Sequence, residues 1–416
     1  MANALDHRGR PRVAVTGLGV KTPAGLNLDS FWNTLLSGRS TAATIERFDP
    51  VALSVRFGCE VRDFDVTEYV GVKDARRLDR VTQLGFASAA DALADAGDLN
   101  ADPARVAVVV GTGIGGIMTL EDQVFVYLEK GPQRVSPFFV PMMMANATAG
   151  TIAMEYGWTG PNLCIATACA ASANAIGEAA RLIRDDTADA VMTGGAEACM
   201  VPTAISAFAR MTALSTRNDE PQLASRPFDA DRDGFVMGEG AAALVLERWD
   251  RAEARGAHIY GELIGYGRNA DAFHITAPSP GGEGAAACMQ LALDDALIDP
   301  ESIRHVNAHG TSTPLNDASE AEALRKVFRH GPPPVTSTKG VTGHLIGAAG
   351  ATEAVASLLT IEHGLIPPTA NLEQLGDDIV LDVVAGEPRS LERGAVLSNS
   401  FGFGGHNATL VFAPGN

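Results

Sequence analysis

The sequence predicts an α/β fold built from two duplicated halves. Three observations point to it: β-branched runs without alternation, helical patterns between those runs, and one supersecondary unit that occurs twice. Residues 12–17 (RVAVTG) and 105–111 (RVAVVVG) are unbroken apolar runs that end in glycine, the pattern of strands covered on both faces. Residues 83–95 carry a helical pattern between them, which places the chain in the α/β class. Residues 92–113 (ALADAGDLNADPARVAVVVGTG) and 292–311 (ALDDALIDPESIRHVNAHGT) each read as helix, Asp-Pro, strand, then Gly-Thr. A small-residue helix follows in each half, over 169–183 (CAASANAIGEAARLI) and from 344 to 359 (HLIGAAGATEAVASLL). In this alignment His344 falls opposite Cys169. Each half then closes on a β-rich run, 241–246 (AAALVL) and 408–412 (ATLVF). Gene duplication is the economical account, and two unrelated domains with the same strand–helix order are the alternative. The boundary is expected near Arg255-Gly256, giving halves 1–255 and 256–416.

Charge and composition exclude whole classes of function. The chain has 416 residues, 46% hydrophobic and 20% charged, ordinary for a protein with a full core. Lys and Arg number 32 against 50 Asp and Glu, for a formal net charge of −18. A field of that sign repels polyanions, so neither nucleic acid nor an anionic membrane is an expected partner. A local basic patch could still receive an acidic protein. No stretch approaches the ~18 apolar residues that suggest a membrane span. The N-terminal decapeptide has no apolar core of a secretory signal and is expected to fray. The five cysteines, Cys59, Cys164, Cys169, Cys199 and Cys288, are scattered and odd in number. They suit neither a disulfide scaffold nor a zinc ribbon, and they point to a reducing cytoplasm.

Three motifs carry chemistry. Cys169 in IATACAAS sits where a strand ends and an Ala-rich helix begins. A helix N-terminus offers free N–H groups and a positive dipole end, which favour thiolate. A small buried core cysteine is the competing reading of that position alone. His309 in NAHGTST ends a strand, and His344 in KGVTGH precedes the second small-residue helix. In an open α/β sheet the C-terminal strand edge faces the ligand crevice. A pseudo-twofold between the halves would let all three side chains converge. NSFGFGGHN, residues 399–407, is too rich in glycine for a good strand. It is either a tight bend or a loop that aims an N–H at a developing oxyanion. GTGIGG, residues 111–116, matches a dinucleotide fingerprint, but no ribose-binding acid stands at the end of a second strand, so no nicotinamide site is expected.

TACAAS, NAHGTSTP, KGVTGHLIGAAG and NSFGFGGHN together resemble the β-ketoacyl-[acyl carrier protein] synthases, the thiolase-fold condensing enzymes. Residues 215–241 (STRNDEPQLASRPFDADRDGFVMGEGA) and 271–280 (DAFHITAPSP) extend the resemblance over nearly the whole chain, and the nearest branch is the elongating, synthase II type. The resemblance implies two α/β halves layered as αβαβα, with the nucleophile in the first half and both histidines in the second. It implies decarboxylative condensation of malonyl-acyl carrier protein with an acyl chain held on Cys169. The backbone N–H groups of Cys169 and Phe403 would form the oxyanion hole. His309 and His344 would donate to the enolate, and Lys339 would fix the histidines, paired with Glu353. Thr311 and Thr313 match hydroxyls that hold the phosphopantetheine arm. Ile114 and Phe208 match acyl-pocket residues, Phe403 matches the gate, and Phe401 is a further substrate-binding candidate.

The resemblance also implies partners. Carrier protein would dock on Lys73, Arg76, Arg77 and Arg134, with Arg80 as a further candidate; Gln133 and Thr212 stand where relatives are basic. A homodimer is expected, with Met142–Met144 near the shared pocket wall. No cofactor is required beyond the phosphopantetheine of the substrates. A structural Na or K ion would take Asn307, Ala308, Glu353 and Asn399. His406 departs from the Thr of many relatives. The alternative function is the catalytic ketosynthase subunit of a type II polyketide or specialised acyl pathway, which would pair with a chain-length factor.

Overall fold

The computed structural model describes residues 4–415. Ten strands form the principal sheet: β1 (Val13–Lys21), β2 (Val106–Gly111), β3 (Asn162–Ile165), β4 (Ala190–Glu197), β5 (Gly240–Arg248), β6 (Gly261–Ala270), β7 (Ile303–Asn307), β8 (Val335–Thr336), β9 (Ala395–Gly402) and β10 (His406–Pro414). Their spatial order is β8-β7-β9-β10-β6-β1-β5-β4-β2-β3. Read outward from the centre, each strand of the first half has its counterpart five strands later in the chain. Directions repeat as well. β2 is parallel to β3 and β4, while β4–β5 and β5–β1 are antiparallel. β7 is parallel to β8 and β9, while β9–β10 and β10–β6 are antiparallel. The half-sheets pair through Ala14↔Glu262 and Val15↔Gly261.

The helices repeat in the same way. The repeated ones are α1 (Arg80–Ala96), α2 (Ile117–Lys130), α3 (Ala171–Arg184), α4 (Glu283–Ala296), α5 (Pro314–Val327) and α6 (Ala349–His363). α1 packs on β1, β5 and β4, and α4 packs on β6 and β10, as the two outer layers. α3 and α6 pack on each other and touch strands of both half-sheets, so they form the middle layer of an αβαβα stack. That position explains their composition. A helix buried on every side needs small residues all round, and residues 349–360 of α6 are buried without exception.

Close approach of helix to sheet is duplicated too. A Cβ on Gly19 of β1 would lie 2.1 Å from the Ser88 carbonyl of α1, and one on Gly267 of β6 would lie 2.2 Å from the Cys288 carbonyl of α4. Each is the second glycine of a Gly-x-Gly pair, Gly17–Gly19 and Gly265–Gly267, packed beside Ala92 and Ala292.

Two expectations need correction. The N-terminal segment is held rather than frayed over its described part. Arg8 and Arg10 each reach Asp295 of α4 at 3.2 Å, and Leu5 bridges Pro11. Met1–Asn3 lie outside the described residues. The repeat alignment also shifts. Ala168 and Ile346 both adopt left-handed φ, +50° and +48°, at the start of the short turns that lead into α3 and α6. This pairs Cys169 with Gly347, three residues after His344. All five cysteines are free, and no described helix is long and apolar enough to cross a membrane.

The matched glycines give a test of the duplicated packing. Gly19→Val and Gly267→Val should each destabilise the protein by at least about 1–3 kcal/mol, the usual cost of overpacking, and by similar amounts. Denaturant midpoints measure both.

Candidate active site

The reactive cluster is assembled by the chain turns that follow three strand ends. Cys169 lies in a single 3₁₀ turn, Ala168–Ala170, ahead of α3. The left-handed φ of Ala168 folds the backbone sharply there. His309 sits two residues past the end of β7. Its own N–H and that of Gly310 donate to the two oxygens of Glu320 on α5, both at 2.8 Å. The next N–H, of Thr311, donates to Asp317 at 3.0 Å. Two buried carboxylates of one helix thus hold the His-Gly-Thr backbone. His344 follows the one-turn helix Lys339–Thr342, and its N–H donates to the Val236 carbonyl at 2.7 Å.

One sulfur atom of Cys169 and one ring nitrogen from each of His309 and His344 all lie within 4.8 Å of one another, and all three residues are buried. The two rings meet edge to face at 5.4 Å. The Nδ1 atom of each is buried with no partner. That leaves Nε2 as the nitrogen that can serve the cavity. Burial, with the Lys339 charge added, holds both imidazoles well below their ordinary pKa. They are neutral at physiological pH.

Lys339 is buried and joins the parts. Its Nζ donates to the His309 carbonyl at 2.5 Å and to Glu353 Oε1 of α6. Burial pushes Glu353 up to about 7, against the pull of Lys339.

The thiol departs from expectation. Burial pushes Cys169 up to about 11, against the N–H groups of Phe403 and of Cys169 itself and the Lys339 charge. The helix start does not outweigh desolvation, so Cys169 rests as a thiol. The same two N–H groups both reach its sulfur, where they can receive an oxyanion formed beside it. Gly402 allows that approach, since a Cβ there would lie 2.8 Å from the Thr167 carbonyl.

Cys169, His309 and His344 open into a cavity of about 500 Å³. Thr311, Thr313, Ile114, Phe208, Phe401 and Phe403 line it too. The Thr311 and Thr313 hydroxyls are 2.9 Å apart. Phe401 stands 5.8 Å from the His309 ring, and Phe403 6.4 Å from Phe208. Sequence reasoning missed Phe235, which bridges Phe208 and His344 edge to face at 5.6 and 5.3 Å. It also missed Glu320 and Asp317, which sit in an ordinary helical pattern with no local signal of burial.

The basic residues split. Lys73, Arg76, Arg77 and Arg134 are all exposed, and Arg77 covers the Phe138 ring at 4.6 Å. Arg80 does not join them. It is turned inward onto the buried Glu239, which it shares with Arg47. His406 begins β10 beside Gly404, whose Cβ would lie 3.1 Å from its ring.

A duplicated αβαβα core with a Cys-His-His cluster between its halves defines a thiolase-like condensing enzyme. Residues 10–252 match the beta-ketoacyl synthase N-terminal domain and residues 260–373 the beta-ketoacyl synthase C-terminal domain. The chain belongs to the beta-ketoacyl synthase family. It is 48% identical over 409 residues to the 3-oxoacyl-[acyl-carrier-protein] synthase 2 of Synechocystis, covering 97% of this chain and 98% of that one. It is 45% identical over 406 residues to the synthase 2 of Vibrio harveyi, covering 96% and 98%. Among solved structures it superposes with a TM-score of 0.92 at 35% identity on the ishigamide ketosynthase/chain length factor, covering 98% of this chain and all of that one. A type II polyketide ketosynthase, solved in complex with its acyl-carrier protein, gives 0.91 at 31%, covering 98% and 100%.

Two titrations check the electrostatics. Alkylation of Cys169 by iodoacetamide should climb with pH toward about 11, with no plateau near neutrality. The His309 and His344 ring signals should keep neutral positions as pH falls from about 8 to about 6, the window in which an ordinary imidazole begins to charge.

Proposed function

We propose that the chain elongates fatty acyl groups by decarboxylative condensation of malonyl-acyl carrier protein with an acyl chain held on Cys169. The observation that carries this reading is the convergence of a thiol, two neutral imidazoles and two N–H donors under one largely apolar cavity. In the first stage the Cys169 sulfur attacks the acyl thioester carbonyl. The oxyanion rests on the Cys169 and Phe403 N–H groups until it collapses, the thiol proton passes to the departing carrier sulfur, and the carrier leaves as a thiol. In the second stage malonyl thioester loses CO₂, and its electron pair moves into an enolate. The Nε2–H groups of His309 and His344 hold the enolate oxygen. The carbanion attacks the acyl carbonyl, the bond to sulfur breaks, and β-ketoacyl thioester departs. The released Cys169 thiolate recovers a proton.

The remaining roles follow from placement. Thr311 and Thr313 offer hydroxyls to the phosphopantetheine arm, and Ile114 and Phe208 wall the acyl chain. Lys73, Arg76, Arg77 and Arg134 give an acidic carrier protein a cationic landing face on a molecule of opposite net sign. Asn307 Oδ1 and Glu353 Oε2 are buried without partners. That oxygen pair suits a hard monovalent cation held with Ala308 and Asn399. β3 is the outer strand of its half-sheet, Leu163 on it and Met154 on the helix packed against it are exposed, and so are Phe125, Leu128, Phe138 and Val140 in the same half. A second copy would cover edge and patch together, with Met142–Met144 close by. The chain divides into functional halves at Arg255-Gly256, and five free cysteines suit a reducing cytoplasm.

The likeness to polyketide ketosynthases favours a second reading, the catalytic subunit of a type II polyketide pathway. The higher identity to synthase 2 relatives supports the first. Condensation assays with acyl-carrier proteins of graded length, read by mass spectrometry, separate the two.

Three outcomes are expected. Intact-mass analysis after acyl-carrier protein treatment should show one adduct, on Cys169. An adduct on Cys164 or Cys199 would sink the assignment. His309→Ala and His344→Ala should each still acylate Cys169 to a measurable extent, yet lose malonyl decarboxylation by roughly 10²-fold or more per donor. Labelled CO₂ release measures the second step by itself. Light scattering at micromolar concentration should give twice the 43.3 kDa chain mass.

A further inference from the structure

The GTGIGG loop forms a nest of backbone N–H groups, and the chain fills that nest with its own carboxylate. Glu197, the last residue of β4, is fully buried. Its Oε2 accepts the Gly113 N–H at 2.6 Å and the Gly347 N–H at 3.1 Å. Its Oε1 accepts the Thr112 hydroxyl at 3.3 Å, and the Ile114 N–H also bonds to the carboxylate. Among the described residues no lysine or arginine pairs with it. Burial pushes its pKa up to about 7, against these N–H and O–H donors.

The two glycines face each other across the carboxylate. A Cβ on Gly347 would lie 2.2 Å from the Gly113 nitrogen and 2.7 Å from Glu197 Oε2. A Cβ on Gly113 would lie 2.7 Å from the same oxygen. Only glycine fits on either side, so the carboxylate clasps two segments at a fixed separation. One carries Ile114 into the cavity. The other starts three residues after His344 and runs into α6, which bears Glu353. Gly113, Ile114, His344 and Ile346 line the same cavity.

We propose that Glu197 is a positioning residue that sets acyl-chain selection by clasping the Ile114 loop to the His344–α6 connection. It touches no substrate. The inference rests on the reading of Ile114 as a wall of the acyl pocket. A chain that ends short of Ile114 does not feel the clasp, whereas a longer one must pass a loop held in place by it. Loosening the clasp therefore flattens the length profile instead of lowering every rate alike.

The test is single-turnover acylation of Cys169 by acyl-carrier proteins of graded chain length. Glu197→Gln keeps the size and removes the charge that strengthens the N–H bonds. Thr112→Val keeps the shape and removes the hydroxyl, which also accepts the Gly115 N–H at 3.2 Å. In Glu197→Gln the ratio of kcat/KM between best and worst lengths should fall by about tenfold, the discrimination that one or two methylenes carry in an apolar pocket. Thr112→Val should shift it the same way by less. A merely structural loss scales all lengths together and leaves the ratio unchanged. If the parent acylates Cys169 and the ratio stays parental in both variants, or in Thr112→Val when Glu197→Gln does not fold, the clasp has no part in selection. If the parent does not acylate Cys169 at all, the acyl-pocket reading fails and takes this proposal with it.

Discussion

Everything at the reactive centre hangs on one buried cation. Lys339 touches the His309 carbonyl at the end of β7 and Glu353 on α6, and the turn it begins delivers His344. A charge without water must be paired and hydrogen-bonded, or the fold does not form. The need to satisfy Lys339 therefore fixes the relative placement of a strand end, a turn and the middle-layer helix. Glu320 and Asp317 tie the same strand end to α5. The histidines are positioned through their backbones, which leaves their rings free for chemistry.

The same burial sets the chemistry. Desolvation favours neutral forms, so it keeps the imidazoles uncharged and the thiol protonated. Neutral imidazoles with Nδ1 sealed off can donate from Nε2 to an oxygen that becomes negative. The Lys339 charge adds to the first effect and opposes the second. In the proposed reaction, a site that favours an enolate thus carries a weakly ionised Cys169, and the N–H groups of Cys169 and Phe403 would supply compensation once the tetrahedral oxyanion forms.

Much of this was legible in the sequence. The β-branched runs became β1 and β2, and the repeated helix–Asp-Pro–strand unit became α1–β2 and α4–β7, because period and turn chemistry are local. Cys169, His309, Lys339 and His344 carried their own glycine-flanked contexts. What was hidden depends on the third dimension. Aligning His344 with Cys169 failed because a left-handed residue, not a side-chain type, marks the equivalent turn. Arg80 reads as one more surface cation until Glu239, far along the chain, is seen beneath it. Glu320 reads as one of several acids on a helix. The thiol's state could not be read at all, since the dipole at a helix start is a local feature and desolvation is a property of the folded whole.

The central claim is that the Lys339–Glu353 pair acts by placing and keeping neutral the two histidines. Replacing both charges at once avoids leaving one buried alone, and such apolar exchanges are often tolerated. The direct measurement is labelled CO₂ release from malonyl-acyl carrier protein by the Lys339→Met, Glu353→Leu double variant, beside its rate of Cys169 acylation. The account predicts a folded protein that still acylates Cys169 and decarboxylates at least about tenfold more slowly, one order for each 1.4 kcal/mol of lost transition-state stabilisation. Decarboxylation at the parental rate in that variant would contradict it.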